Sequence, residues 1–179
     1  MRNFFPFMLL TLGIGLTVDA QQFATREATI LFMSETPIED IRAESREASA
    51  IFDAGTGQLA FQVPILSFHF PKALMEEHFN ENYLESEQFP KATFRGQVLN
   101  LDLAVEGAQA VQASGTLQMH GVSVERDIAG IMTRTDEGWS IATEFPVPCA
   151  DHGIDIPKVV SENIAEVIDV TLSATLLPR

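Results

Sequence analysis

Hydrophobic positions recur with a period of two along most of this chain, which is the spacing of strands buried on one face. Ala28, Ile30 and Phe32 alternate with Thr29, Leu31 and Met33. Asp53-Ala-Gly-Thr-Gly57 is a turn cluster between the β-like runs Ile51-Phe52 and Gln58 to Val63, and predicts a hairpin. Leu59, Phe61, Val63 and Ile65 share one face, after which the apolar set shifts to Leu66, Phe68 and Phe70. That change of parity predicts a bulge, or a strand that leaves its sheet near Pro64.

Residues 71–87 follow a different rule. Pro71 suits the first turn of a helix. Leu74, Met75, His78, Phe79 and Tyr83 then fall on one side, and Glu76, Glu77, Asn80, Glu81 and Glu85 on the other. The pattern predicts one amphipathic helix of three to four turns, ended by Pro90. Period two then returns. Phe94 and Val98 lead, across a second parity change, into Leu99, Leu101, Leu103 and Val105. Val111, Ala113, Gly115, Leu117 and Met119 form the next apolar set, followed by Val122, Val124, Ile128 and Met132. Trp139, Ile141, Phe145 and Val147, then Val170, Leu172, Ala174 and Leu176, complete it. About eight one-sided strands and one helix predict an all-β fold whose sheet must curl or close. An eight-stranded antiparallel β-barrel has an interior just wide enough for side chains or one small ligand.

The first twenty residues stand outside this scheme. Arg2 precedes the apolar run Phe4 to Val18, and Val18-Asp19-Ala20 offers a small residue before Gln21. This is the layout of a secretory signal peptide, which leaves residues 21–179 as one domain and predicts a periplasmic or secreted protein. The run is short for a membrane span, so no stable membrane anchor is expected. No cysteine sits at the cleavage point to take a lipid anchor.

Charge and composition then narrow the chemistry. With 25 acidic and 11 basic residues, the formal net charge is −14 at pH 7. Nucleic acid is excluded as a partner, since phosphate contacts need clustered Lys and Arg. Cys149 is the single cysteine, so no internal disulfide and no cysteine-based zinc site can form. His69, His78, His120 and His152 form no His-x-His or His-x-x-x-His pair, and no metal or other cofactor is expected. No Gly-x-Ser-x-Gly is present, and the paired carboxylates Glu76/Glu77 and Glu85/Glu87 read as the solvated face of the helix. Cys149 has no basic neighbour in sequence to activate it. The chain is therefore expected not to be an enzyme.

Phe is used 13 times, against one Trp and one Tyr, and the ten Phe residues after residue 20 carry more information. Together with Met75, Met119 and Met132 they suit either a packed barrel core or a pliable apolar pocket capped by the 71–87 helix. The pattern alone leaves both open.

Met75-Glu-Glu-His78-Phe79-Asn80-x-x-Tyr83-Leu84-Glu85-Ser86-x-x-Phe89-Pro90-Lys91-Ala92-Thr93-Phe94-Arg95-Gly96 resembles the central signature of the YceI-like family. Gly115 to Val122, ending in His120-Gly121-Val122, is similar to a second segment of that family, and Ile154 to Pro157 with Asn163 to Val170 to a common tail. The resemblance covers roughly residues 27–177. It implies an extended lipocalin-like barrel with a helix between strands, in an exported protein that carries or stores a polyisoprenoid or quinone-like lipid. The partner so implied is a long-chain isoprenoid or other lipid held lengthwise in the interior. Members often continue His-Gly-Val-Thr-Lys; here Ser123-Val124-Glu125 follows, without the lysine. From their facing, the expected lining residues are Phe61, Val63, Phe68, Phe70, Leu74, Met75, Phe79, Phe94, Leu117, Met119, Met132, Trp139 and Phe145. One rival is an interaction barrel with a packed core, acting through its acidic surface. The other is an enzyme on isoprenoid-type substrates, for which His69, His78 and His120 are the candidate groups.

Overall fold

The computed structural model describes residues 21–179; the signal peptide expected at 1–20 lies outside them. Eight strands close into one barrel: β1 (Gln22–Ser34), β2 (Ile41–Asp53), β3 (Gln58–Pro64), β4 (Lys91–Leu99), β5 (Gly107–Met119), β6 (Val122–Thr135), β7 (Gly138–Pro148) and β8 (Val167–Pro178). Each strand pairs antiparallel with the next, and β8 pairs with β1 to complete the circle. Closure removes the free edges that an open sheet would expose.

Alternation sends one side of every strand inward. On β8 the inward set is Leu172, Ala174 and Leu176, all buried, with Val170 half-buried above them. On β5 it is Val111, Ala113, Gly115, Leu117 and Met119. β1 and β2 each change parity, so that Phe23 and then Ala28 and Ile30 face in on β1, and Ala43 and Ser45 and then Ala48, Ala50 and Phe52 on β2. The register shifts between Thr25 and Ile30 absorb the change. The sequence pattern missed most of β2, because four of its five inward side chains are Ala or Ser.

The parity change near Pro64 is a strand end. β3 stops there, and a single 3-10 turn follows over Ile65–Ser67. Ser67 Oγ donates to the Pro64 carbonyl and lies 2.6 Å from Ser45 Oγ on β2. His69 then exchanges backbone hydrogen bonds with Glu44, so this segment closes the gap where β3 has left β2. Leu66, expected among the inward residues, is exposed.

The amphipathic helix is shorter than expected. It is α-helical over Ala73–His78 and widens to π geometry over Phe79–Tyr83, so it stops four residues before 87. The Asn80 carbonyl accepts bonds from both the backbone N–H and the hydroxyl of Ser86, which turns the chain back toward β4. The second parity change has a similar cause. β4 ends at Leu99, and residues 100–106 form a loop in which Leu101 packs on the core while Leu103 and Val105 are exposed. The strand expected across 99–105 is absent, and Asn100 adopts a left-handed conformation there with φ 63°.

Gly96 and Gly115 face one another across β4 and β5. A Cβ on Gly115 would stand 2.3 Å from the Arg95 carbonyl oxygen, and one on Gly96 would stand 2.9 Å from the Phe94 ring. The glycine pair lets the two strands pinch together and leaves the Phe94 ring its place in the interior.

Candidate functional site

The interior has two halves. At the end formed by the β2–β3, β6–β7 and β8 termini, Phe23, Phe52, Leu59, Val98, Val111, Met132, Trp139, Ile141, Ala174 and Leu176 fill the barrel and are buried. Trp139 packs edge-on against Phe52, with ring centroids 5.9 Å apart. The other half is hollow. It holds a cavity of about 360 Å³, open at one end, at the low end of the roughly 300–1,000 Å³ range of ligand pockets.

Strand register builds the cavity walls. Phe61 on β3, Phe94 on β4 and Leu117 on β5 are direct cross-strand neighbours and form one wall. Phe145 on β7, Val170 on β8 and Phe32 on β1 are likewise neighbours and form the facing wall. Near the mouth, Phe32, Phe68, Phe70 and Phe79 make one aromatic cluster, with centroid separations of 5.0 Å for Phe70–Phe79 and 5.3 Å for Phe32–Phe79. The helical segment 73–83 is thus held over the opening by its Phe79 ring. The 149–166 connection closes another side with Ile154, Ile156, Val160 and Ile164.

Ten of the thirteen expected side chains line this cavity: Phe61, Val63, Phe68, Phe70, Met75, Phe79, Phe94, Leu117, Met119 and Phe145. Three do not. Leu74 is exposed on the outer side of the helix, which turns Met75, Phe79 and Tyr83 inward instead. Met132 and Trp139 belong to the packed half. The cavity therefore occupies the half of the barrel away from Met132 and Trp139. Phe32, Tyr83 and the 149–166 residues were missed. Phe32 was detectable from its shared face with Ala28 and Ile30, whereas the 149–166 loop has no period to read.

Ionisable groups are few at the cavity. Glu39 lines it and is bound by Lys72, whose Nζ lies 2.5 Å from Oε1. The Cys149 thiol also lines it, and burial pushes its pKa up, which keeps it protonated. Burial likewise raises the Tyr83 phenol. Of the three histidines weighed as reactive groups, only His78 lines the cavity. His69 is exposed beside Glu76, 3.7 Å away.

His120 acts in a tie between distant segments. Its Nε2 lies 3.0 Å from Glu85 Oε2, and its Nδ1 3.1 Å from the His152 carbonyl oxygen. Phe89 packs edge-on against the His120 ring at 4.8 Å, and its ring fills the space a Cβ on Gly121 would need. His120 and Gly121 both have positive φ, 50° and 75°, as a two-residue type I′ hairpin turn requires. The Tyr83–Pro90 and Met119–Val122 segments are thus joined in space, and together they anchor the C-terminal side of the cavity's helical cover.

His152 beneath this tie is wholly buried; its Nδ1–H donates to the Val122 carbonyl, and Nε2 has no partner among the described residues. Burial lowers its pKa below the ordinary 6.5, only partly offset by its backbone acceptors. The unfolded chain then binds a proton near 6.5 that the native state refuses, so stability contributed above 6.5 is lost as pH falls below it. Thermal unfolding between pH 8 and 5.5 is expected to show this loss, at no more than about 1.4 kcal/mol per pH unit. A His152→Asn variant should flatten that slope whatever its own stability. An unchanged slope would remove His152 as its source.

These features define a cavity-bearing, closed eight-stranded β-barrel of the lipocalin-like class. The YceI-like domain model matches residues 17–176, so the chain belongs to the YceI-like family. Solved structures agree in fold. A polyisoprenoid-binding domain from Saccharophagus degradans, implicated in plant cell wall breakdown, is 15% identical with a TM-score of 0.74, over 89% of this chain and 99% of that one. BcnA of Burkholderia cenocepacia is 12% identical with a TM-score of 0.68, over 83% and 96% of the two chains. A Campylobacter jejuni YceI protein is 12% identical with a TM-score of 0.58, over 99% of each. No protein of curated function matches the chain by sequence.

Proposed function

We propose that this protein is an exported, non-enzymatic carrier or store for an isoprenoid lipid, held by its hydrocarbon chain in the hollow half of the barrel. The observation that carries the reading is the cavity itself: facing walls of Phe and aliphatic side chains, open at one end under an aromatic cluster. Apolar cavities of roughly 150 Å³ already stay dry and admit small hydrophobic guests. Burying about 500 Å² of isoprenoid surface contributes on the order of 12 kcal/mol before costs. Association and chain ordering remove several kcal/mol or more, which leaves micromolar or tighter binding within reach. The Saccharophagus degradans domain, described as polyisoprenoid-binding, supports the same class of ligand. In this reading the cavity holds part of a long chain, with the remainder and the headgroup at its mouth. The acidic exterior keeps such a carrier soluble.

Denaturing mass spectrometry of an organic extract from freshly purified protein is expected to reveal a co-purifying isoprenoid lipid, and delipidated protein to take one up. A clean extract together with no uptake of added prenol would end the carrier reading.

A further inference from the structure

We infer that the cavity mouth selects a neutral headgroup, a prenyl alcohol or prenylated quinone, over a prenyl phosphate or diphosphate, and that Glu39 sets this selection. The inference rests on the carrier reading and specifies the chemistry of its ligand. Among the described residues lining the cavity, Glu39 is the one carboxylate, and no lysine or arginine accompanies it. Recognition of a phosphate takes guanidinium or ammonium groups, or an array of free backbone N–H donors.

The cations around the mouth are committed or face solvent. Lys72 is held by Glu39 at 2.5 Å, and Lys91 reaches Gln62 Oε1 at 3.2 Å from an exposed position. Lys158 is exposed on a segment that also carries Asp155, Glu162 and Glu166. The Phe70 backbone N–H beside the helix start already donates to Glu76 Oε2, at 3.1 Å. A diphosphate would therefore meet the Glu39 carboxylate with its Lys72 partner already engaged, and no lysine or arginine of the cavity lining would replace the water lost from its charged oxygens.

Neutral oxygen meets a different environment. Tyr83, Thr93 and Asn163 line the cavity, and their side chains make no hydrogen bond among the described residues. Burial keeps the Tyr83 phenol a neutral donor. Such groups can meet a hydroxyl or a quinone carbonyl with no charge to compensate.

Calorimetric titration of the delipidated protein at pH 8 with farnesol and with farnesyl diphosphate tests this at constant chain length. Farnesol is expected to bind at least about tenfold more tightly. Glu39→Gln removes the carboxylate and releases Lys72, so it is expected to narrow the gap to about threefold or less by strengthening diphosphate binding. Wild-type protein that binds the diphosphate as tightly as farnesol would overturn the inference and leave the carrier reading standing. A gap that persists in the variant would remove Glu39 as its cause. Failure of both ligands to bind would overturn the inference together with the reading beneath it.

Discussion

Replacing Trp139 by alanine is expected to cost about 3–5 kcal/mol of stability, the range for deleting a large buried aromatic side chain. Trp139 is 2% exposed and meets the fully buried Phe52 edge-on. Leu176, its cross-strand neighbour on β8, is also fully buried, so little can collapse into the space left behind. For a domain of this size the midpoint of thermal unfolding should fall by roughly 6–20 °C. Phe145→Ala provides the contrast. Phe145 also faces inward, but it lines the hollow half, where its ring already lacks contact atoms on one side. Its loss is expected to cost less than about 2 kcal/mol. Urea unfolding of both variants measures the difference. Equal costs would mean that the two halves of the barrel are packed alike.

The reciprocal variant fills the hollow half. Leu117→Trp combined with Val170→Trp places an indole on each of the two facing walls, at the β5 end of one cross-strand row and at the centre of the other. A prenyl chain then has no room between them, and affinity is expected to fall by about a hundredfold or more, equivalent to roughly 3 kcal/mol. Stability should change by no more than about 3 kcal/mol, because the added volume enters space that was empty. Prenol titration together with circular dichroism separates the two effects. Retained affinity in a folded double variant would place the ligand elsewhere on the protein.

The Glu85–His120–Phe89 tie shows why a recognisable sequence segment need not be a chemical one. Its residues lie in the two most distinctive stretches of the chain, yet they join the cavity's cover to the β5–β6 turn instead of forming a reactive centre. The positive φ of Glu85, at 44°, lies within the same tie. Spacing along the chain could not show that these segments touch, since 35 residues separate Glu85 from His120.

Alternation of apolar and polar side chains determined the all-β class and the inward face of most strands, because a period of two leaves one face to bury. The turn cluster at 53–57 followed from backbone chemistry that depends on a few residues, and the strand end near Pro64 from a change in the parity of the apolar positions. Other features depended on the tertiary structure. β2 was obscured because its inward positions are small, and its burial comes from neighbours that the strand's own sequence does not contain. Leu74 and Met75 are adjacent, and only docking of the helix decides which one faces the cavity. Facing also could not separate Leu117 from Met132 or Phe145 from Trp139, since all four point inward. Their height along the barrel, fixed by cross-strand register, decides which side chains pack solidly and which surround a void.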